Sequence, residues 1–266
     1  MTDKEPLKIL SLGAGVQSTA ILLMSDGREL EKIDYAIFAD TGWESNATYK
    51  HLEWLENTVS IPIIMVTAGN IRDREIESTV RGRNKSFITI PYFTTDGKSK
   101  GMLPKRCSID FKVFPVQRKI RELAKHHKVG FSHGSVELWM GFSWDERQRM
   151  KLSQTKYITK YQPLIEKEIT RYDCLQWMKS NGFPEPPRSS CLGCPFQTNA
   201  EWQMTKQDAD EWKDVVGFDK HMRDRGGDRG QLFLHQTLNP IDEIDFRNSE
   251  DLGQLNLASQ CEACFT

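Results

Sequence analysis

The sequence predicts an α/β fold with a doubly wound, mainly parallel sheet. Three apolar runs, at residues 7–12, 35–39 and 61–66, have the length of buried strands. Segments with helical spacing of apolar residues, at 16–25 and 45–58, separate them. Three strands alternating with two helices within about 60 residues require crossover connections, so the strands are expected to be parallel and covered by helices.

The rest of the chain is expected to add elements to this sheet and then a C-terminal extension. Residues 69–111 show no clear period and are predicted to be a long loop. Two domains are predicted, at 1–182 and 183–266, the second a cysteine-bearing segment packed on the first. After the loop, a helix at 116–127 and a strand at 137–142 are predicted. A helix at 170–179 is expected to be capped by Thr170 and ended by Asn181-Gly182. A stiff connector at 183–190, a helix at 199–216 and an extended piece at 231–235 complete the chain.

Composition excludes several classes of protein. The chain has 266 residues with 36 Lys and Arg against 37 Asp and Glu, so its net charge of −1 argues against a strongly basic nucleic-acid binder. No apolar run approaches the ~20 residues that span a bilayer, so no membrane association is expected. The first residues, MTDKEPLK, lack the apolar core of a secretory signal, so a cytoplasmic, reducing location is predicted. There, six cysteines favour metal or redox chemistry over structural disulfides.

The charge is unevenly distributed along the chain. Residues 71–121 contain 13 Lys and Arg against five acids, whereas residues 236–266 contain six acids and one Arg. The basic stretch is consistent with an anionic substrate, an acidic partner or a solvated loop.

The segment SLGAGVQST at residues 11–19 joins the first strand to the first helix. Its glycines let the backbone approach a phosphate, and the following helix N-terminus offers N–H groups and the positive end of the helix dipole. The Walker pattern is absent, which disfavours an ordinary P-loop ATPase. A tight turn with no ligand remains the alternative.

A second motif, Asp40-Thr41-Gly42-Trp43-Glu44, stands at the end of the second strand. In a doubly wound sheet the carboxyl ends of the strands form the ligand crevice, so Asp40 is expected beside the first loop. Asp40 could bind a ribose hydroxyl, as in nicotinamide-dinucleotide enzymes, or cap the following turn.

The order and spacing of several segments resemble the phosphoadenylyl-sulfate (PAPS) reductase family. SLGAGVQST followed by FADTGWESNATYKHLEWL is similar to the opening of that family, which belongs to the PP-loop, or adenine-nucleotide alpha-hydrolase, superfamily. RCSIDFKVFPV (106–116) resembles its C-C-x-x-x-K-x-x-P-L, GFSWDERQR (141–149) its G-x-R-x-x-E-S-x-R, and SSCLGCPF (189–196) its S-x-G-C-x-x-C region. The matches extend from about residue 8 to residue 196.

The resemblance implies a Rossmann-like PP-loop fold and an adenine-nucleotide substrate, either adenylyl sulfate or ATP. Basic side chains, Arg149 and Lys112 with Arg106 as a further candidate, are expected to neutralise the reacting anion. The residues expected to bind the nucleotide are Ser11, Gly13, Gly15, Gln17, Ser18, Thr19, Asp40, Thr41 and Gly42.

Two departures from the family pattern bear on the reaction. Gln17 stands where the ATP pyrophosphatases have Asp, as it does in the reductases, and so favours the reductase branch over an ATP-plus-magnesium reaction. The E-C-G-L-H segment that carries the reductases' catalytic Cys is missing. The chain instead carries Cys261 and Cys264, either of which is a candidate thiol nucleophile.

The cysteines match part of a metal-ligand pattern. In cluster-bearing reductases a C-C pair and a C-x2-C pair hold a 4Fe–4S cluster, and here Cys107, Cys191 and Cys194 occupy three of those four positions. The resemblance then implies Cys261 or Cys264 as the fourth ligand. Zinc is the alternative metal because four thiolates suit it equally, and a metal-free thiol pair remains open. Cys174 lies within a helix pattern and is expected to be a core residue.

Three functions follow from these expectations. The first is thiol-dependent reduction of an adenylyl sulfate by a cluster-bearing enzyme. The second is an ATP-dependent sulfur transferase that thiolates tRNA or DNA, which the net charge and Gln17 make less favoured. The third is a non-catalytic metal-binding module. The expected partners are the nucleotide, a thiol electron or sulfur donor and a second copy of the chain in a homo-oligomer.

Overall fold

The computed structural model describes residues 5–80, 88–95, 97–150, 153 and 155–247, and the side chains of 78–80 are not described. In chain order the elements are β1 (Leu7–Leu12), α1 (Val16–Asp26), β2 (Tyr35–Asp40), α2 (Asn46–Thr58), β3 (Ile63–Thr67), α3 (Ile71–Val80), β4 (Phe93–Thr95), β5 (Lys100–Met102), α4 (Phe114–His126), β6 (Val136–Met140), β7 (Ile158–Tyr161), α5 (Pro163–Glu166), α6 (Arg171–Ser180), α7 (Asn199–Gln207), α8 (Ala209–Met222) and β8 (Gln231–Phe233).

These elements form two compact units. The described residues of the first are 5–40, 46–68, 112–150, 153 and 155–189; those of the second are 41–45, 69–80, 88–95, 97–111 and 190–247. Segments 41–45 and 69–111, which the sequence analysis placed in the N-terminal domain, therefore group with the C-terminal residues. Cys261 and Cys264 lie outside the described residues.

The first unit is built on a parallel sheet of order β3-β2-β1-β6-β7, which has five strands within the described residues. β1 pairs with β2 on one side, Ile9 facing Tyr35, and with β6 on the other, Ser11 facing Met140. The predicted doubly wound α/β fold is confirmed. Helices α1, α2 and α4 return the chain to the same end of the sheet before β2, β3 and β6, whereas the connection from β6 to β7 contains a 3-10 turn at Trp144–Arg149.

Alternate residues of the strands enter two separate apolar cores. Leu10, Phe38 and Trp139 belong to a core that also contains buried residues of α1, α2 and α6. The other core contains Ile9 and Ile37 and is completed by apolar residues of α4. This period of two explains why the apolar runs are nearly continuous: a strand covered on both faces buries every side chain.

The connections reverse direction at β1. From β1 the chain moves outward through β2 to β3, and the later strands β6 and β7 lie on the other side of β1. The carboxyl ends of β1 and β6 are therefore neighbours at the point where the strand order switches. In open α/β sheets this point is where ligands bind.

The second unit has its own sheet and core. β4 pairs antiparallel with β5 and with β8, and the buried core includes Trp202, Phe218 and Tyr92. The predicted loop at 69–111 was wrong in part, because it contains α3, β4, β5 and part of a π-helical turn at Ser108–Val113. These elements are short, and their apolar residues contact distant parts of the chain, so they leave little local periodicity.

Other boundaries differ from the prediction in smaller ways. The single helix predicted at 199–216 is two helices, because Asp208 ends α7 and caps α8 by accepting hydrogen bonds from the N–H groups of Asp210 and Glu211. Strand β7 was not predicted. The helix capped by Thr170 is confirmed, and Gly182 adopts a positive φ of 73° just beyond its end.

No helix among the described residues is long and apolar enough to cross a membrane.

The capping box of α6 gives a stability prediction. The Thr170 hydroxyl accepts a hydrogen bond from the N–H of Asp173 at 3.2 Å, and the Asp173 carboxylate accepts one from the Thr170 N–H at 2.9 Å. We expect Thr170→Ala to lower the free energy of unfolding by about 1 kcal/mol in urea titrations, because it removes this cap. The control Ser180→Ala removes an exposed hydroxyl that bonds only within the same helix and should change stability by no more than a few tenths of a kcal/mol. Equal effects would show that the cap does not stabilise the helix.

Candidate functional site

A serine side chain from the first turn of α1 stabilises the loop between β1 and α1. The Ser18 hydroxyl accepts a hydrogen bond from the Gly13 N–H at 3.1 Å and donates one to the Gly15 C=O at 3.2 Å. Ala14 adopts a positive φ of 59°, which turns the chain sharply. α1 has no side-chain cap and no acid in its first turn. The N–H groups and the positive dipole end of such an uncapped helix start suit an anion.

The loop after β6 packs directly on this turn. A Cβ atom added to Gly141 would lie 2.9 Å from the Ser18 backbone nitrogen and 3.1 Å from its Cα. No side chain fits at that distance, so glycine at this position is a requirement of the close approach between the two loops. The motif segments around residues 11–19 and 141–149 are thus neighbours in the fold.

Gln17 connects the two loops through its amide. Its nitrogen donates to the Glu146 carboxylate at 3.1 Å and to the Ser143 hydroxyl at 3.4 Å, and its oxygen accepts from the Arg171 guanidinium at 3.3 Å. A neutral amide can both donate and accept in this way, whereas a carboxylate at the same place would face Glu146 with like charge. The arrangement therefore suits Gln better than the Asp of the ATP pyrophosphatases.

Arg149 lies in the same group of side chains. It forms an ion pair with Glu146, and its guanidinium carbon is 4.7 Å from the centre of the Phe142 ring. Its side chain is 23% exposed and that of Glu146 is 21% exposed. A guanidinium stacked on a ring and bonded to a carboxylate keeps a fixed orientation at low entropic cost.

The Thr19 side chain points away from the loop surface. Thr19 is fully buried, and its hydroxyl lies 3.0 Å from Nε2 of His51, which stacks on Trp54. Burial lowers the pKa of His51 to about 4, so the ring is neutral at neutral pH. The hydroxyl of Thr19 is engaged in the core, and only its backbone N–H, which bonds to the Gly15 C=O, belongs to the first helical turn.

Asp40 ends β2 in the first unit, and the two residues after it begin the second. The Tyr49 hydroxyl donates to the Asp40 carboxylate at 2.9 Å, which orients that side chain. Gly42 has a positive φ of 70°, and a Cβ there would lie 2.9 Å from Cα of Asn70. The Asn70 amide also donates to the Gly42 C=O at 2.7 Å.

The predicted nucleotide-binding residues therefore divide between the units. The structure places Ser11, Gly13, Gly15, Gln17, Ser18, Thr19 and Asp40, with Lys112 and Arg149, in the first unit. It places Thr41 and Gly42 in the second. Gln17 and Arg149 are brought together through Glu146, while Thr19 is directed into the core. Their roles toward a nucleotide stay predictions.

The cysteine pair forms a turn in the second unit. The Cys194 N–H donates to the Cys191 C=O at 3.1 Å, and the Gln197 amide donates to the Leu192 C=O at 2.6 Å. The Leu192 N–H bonds to the Trp43 C=O at 2.9 Å. A Cβ on Gly193 would fall 2.2 Å from the Trp43 ring, so only glycine allows this packing.

Two polar side chains contact the Cys191 thiol. The Thr41 hydroxyl lies 3.2 Å from Sγ of Cys191 and donates to the Glu44 carboxylate at 2.8 Å. The thiol itself donates toward Glu44 at 3.7 Å. Glu44 is only 3% exposed, and the sequence analysis did not single it out. Its position two residues after Gly42, inside the second motif, was the available signal.

The other two described cysteines have different surroundings. The Cys107 N–H donates to the Thr89 C=O at 3.0 Å, and Cys107 packs against the core of the second unit. Cys174 is fully buried in the first unit, as predicted, and burial raises the pKa of its thiol to about 12. A thiol with that pKa is protonated and inert at neutral pH.

The three candidate metal ligands do not form a ready-made metal site. Within the described parts of the chain, no group of three or more His, Cys, Asp or Glu side chains is arranged to hold a metal ion. Cys107, Cys191 and Cys194 are all described, and Cys191 contacts a hydroxyl and a carboxylate. A thiolate cluster is anionic, so a buried carboxylate beside one ligand opposes it. The described side chains, as arranged, do not fit the predicted cluster.

Comparisons with known proteins place the chain only loosely. No protein-family model matches it, and a search of curated proteins finds no match. Among solved structures it is similar to the crystal structure of phosphoadenylyl-sulfate (PAPS) reductase from Candida auris in a phosphate complex. The identity is 15%, the match covers 68% of this chain and 75% of that one, and the TM-score is 0.44.

The contact between Gly141 and Ser18 predicts a strong effect of one added methyl group. Gly141→Ala should lower the free energy of unfolding by about 1–3 kcal/mol, because backbone atoms at 2.9 Å must move. The control Gly130→Ala, in the same unit, places its methyl 3.8 Å from the Ser132 hydroxyl, an ordinary contact distance, and should change stability by less than about 0.5 kcal/mol. Urea unfolding measures both; a Gly141 variant as stable as the control would contradict the close packing.

The neutral His51 predicts acid sensitivity of the first unit. The pKa of His51 falls from 6.5 to about 4 on folding, so its contribution to stability is complete above pH 6.5 and is lost as the pH falls toward 4. Between pH 7 and 4.5 the wild type should lose about 2–3 kcal/mol through this group. His51→Gln should lose that much less over the same range in urea titrations. Parallel pH profiles of the two proteins would rule out this origin.

Proposed function

We propose that this chain is an enzyme of sulfur metabolism that binds an adenylyl sulfate at the β1–α1 loop and reduces it with thiols. The observation that carries the proposal is the position of that loop. It lies at the switch point of the sheet, against the loop that bears Gly141 and leads to Arg149. The resemblance of both segments to reductase motifs, in sequence, supports the same assignment.

The phosphate of the nucleotide is proposed to bind the backbone at residues 13–19. The first-turn N–H groups of α1 carry no side-chain cap, and Ser18 holds the loop in a compact turn. These groups are preorganised, so binding an anion requires little rearrangement of the protein. Asp40, oriented by Tyr49, is proposed to contact the nucleoside.

Arg149 and Lys112 are proposed to neutralise the charge that develops on the leaving nucleotide. Arg149 is held by Glu146 and Phe142. A guanidinium presents a planar set of N–H donors that matches the oxygens of a phosphate or sulfate. Gln17 engages Glu146 with a neutral amide. This donor set supports a substrate whose charge is met by arginine, whereas a magnesium-bound ATP requires free carboxylate oxygens.

The proposed reaction consumes two thiols. A thiolate attacks the sulfur of adenylyl sulfate, the bond between that sulfur and the phosphate oxygen breaks, and AMP leaves with the bonding electrons. A second thiolate then attacks the original thiol sulfur of this S-sulfonate. The bond from that sulfur to the sulfonate sulfur breaks, sulfite leaves with the bonding electrons, and a disulfide forms. Cys261 and Cys264 are the thiols predicted from the sequence, and both lie outside the described residues.

The cofactor stays a prediction. A 4Fe–4S cluster, or zinc in its place, would require Cys107, Cys191 and Cys194 to converge with Cys261 or Cys264. Such a cluster could polarise the sulfur substrate. The reaction proposed above uses no step through it, since the described cysteines do not fit the group as they lie.

One surface favours the second candidate, a sulfur transferase acting on a nucleic acid. Arg118, Arg121 and Lys125 are exposed on α4 at helical spacing, and the nearby acid Glu122 is paired with Lys119 at 2.9 Å. A row of cations on one helix face suits a phosphate backbone. A transferase of this type consumes ATP and releases pyrophosphate, whereas the reductase releases sulfite.

The product distinguishes the two candidates. The purified full chain, incubated with adenylyl sulfate and a thiol, is expected to release sulfite and AMP in equal amounts. Incubated with ATP and tRNA, it is expected to release no pyrophosphate. Pyrophosphate without sulfite would replace the reductase by the transferase, and absence of both products and of nucleotide binding would leave a non-catalytic module.

Arg149 gives the matched test at the site. Arg149→Ala should reduce sulfite release at least 10-fold, because the anion loses its fixed guanidinium. Arg147→Ala is the control, since Arg147 stacks on Trp144 in the same turn and has no contact with Glu146 in the described structure; it should retain activity within about twofold. Equal losses in both variants would remove Arg149 from the site.

A further inference from the structure

The turn at Cys191–Cys194 has the geometry of a pair of thiols that can join. It is closed by a hydrogen bond from the Cys194 N–H to the Cys191 C=O at 3.1 Å. Residues at the two ends of such a turn have Cα atoms less than about 7 Å apart. A disulfide needs a Cα separation of about 4.4–6.8 Å, so this turn brings the two cysteines within reach of each other.

The turn is fixed in place by its neighbours. Gly193 packs against the Trp43 ring so closely that no Cβ fits, and Trp43 is itself held by a hydrogen bond of 2.7 Å from its indole N–H to Asp214. The Gln197 amide holds the Leu192 carbonyl at 2.6 Å. Because the backbone is already constrained, closing a bond between the two sulfurs costs little further ordering.

The groups around Cys191 suit a neutral sulfur. The Thr41 hydroxyl is at 3.2 Å, and the nearly fully buried Glu44 carboxylate is at 3.7 Å from Sγ. A thiol or a disulfide sulfur carries no charge and is compatible with that carboxylate.

Both thiols can be reached by a reagent. Cys191 and Cys194 are partly exposed, whereas Cys174 is fully buried. Thiol–disulfide exchange requires an attacking sulfur with access to solvent, so the pair meets a condition that Cys174 does not.

From these observations we propose that Cys191 and Cys194 are a redox pair that cycles between a dithiol and an intramolecular disulfide. This role replaces metal ligation by the same two residues and does not depend on the adenylyl sulfate reaction. The oxidant is a disulfide, either a small molecule or a protein.

The exchange balances in two steps. One thiol of the pair attacks a sulfur of the substrate disulfide, forms a mixed disulfide and releases one thiol, which takes the proton. The second protein thiol then attacks the protein-bound sulfur, closes the Cys191–Cys194 bond and releases the second thiol. Two electrons and two protons pass from the protein dithiol to the substrate disulfide.

The test uses the full chain, reduced, freed of reductant without oxygen and then incubated with glutathione disulfide. Trypsin cleaves after Arg188 and Lys206, so one peptide carries both cysteines. Mass spectrometry is expected to find this peptide lighter by two hydrogens. A peptide carrying two glutathione adducts, or one left fully reduced by excess oxidant, would overturn the proposal.

Variants separate the redox pair from metal ligation. In Cys191→Ser, Cys194 should be trapped as a glutathione adduct, while Cys107→Ser should form the disulfide at a rate within about twofold of the wild type. Cys174, measured in the same digest, should stay unmodified. Iron and zinc analysis of protein purified without oxygen completes the test: metal bound in stoichiometric amount, and lost equally in Cys107→Ser and Cys191→Ser, would assign the pair to a metal centre instead.

Discussion

The first unit depends on the close contact between the loops that follow β1 and β6. Gly141 allows the backbone at Ser18 to approach to a distance at which a methyl group does not fit. This contact brings the start of α1 beside the segment that carries Glu146 and Arg149. Gln17 then joins the two through its amide. Without the glycine, the loops would have to separate and the polar side chains would lose their common neighbours.

Two carboxylates organise the candidate chemistry, and each acts through its surroundings. One carboxylate oxygen of Glu146 accepts a hydrogen bond from the Gln17 amide, and the other accepts one from the Arg149 guanidinium, so Glu146 orients Arg149. Glu44 is buried, receives the Thr41 hydroxyl and lies beside the Cys191 thiol. The first arrangement favours an anionic ligand at a fixed cation. The second places a hydroxyl and a carboxyl group against one sulfur of the cysteine pair.

Most of the parallel sheet could be predicted, because its strands are apolar runs separated by helices with clear spacing. Thr170 and its capping partner Asp173 were also readable, since a helix start has a local signature. The elements in 69–111 were not readable: α3 and the short β4 and β5 gain stability from contacts with residues beyond 190. The break at Asp208 between α7 and α8 was not predicted, because the helical spacing of apolar residues continues from one helix into the next.

By itself the sequence determined the α/β class, most of the parallel strands and the core position of Cys174, because these depend on local spacing and composition. Only the tertiary structure decided that Gln17 meets Glu146, that the Thr19 hydroxyl turns to His51, and that Glu44 and Thr41 flank Cys191. Those contacts join residues up to 150 positions apart. Such pairings are fixed by how the elements pack, and no local pattern in the chain encodes them.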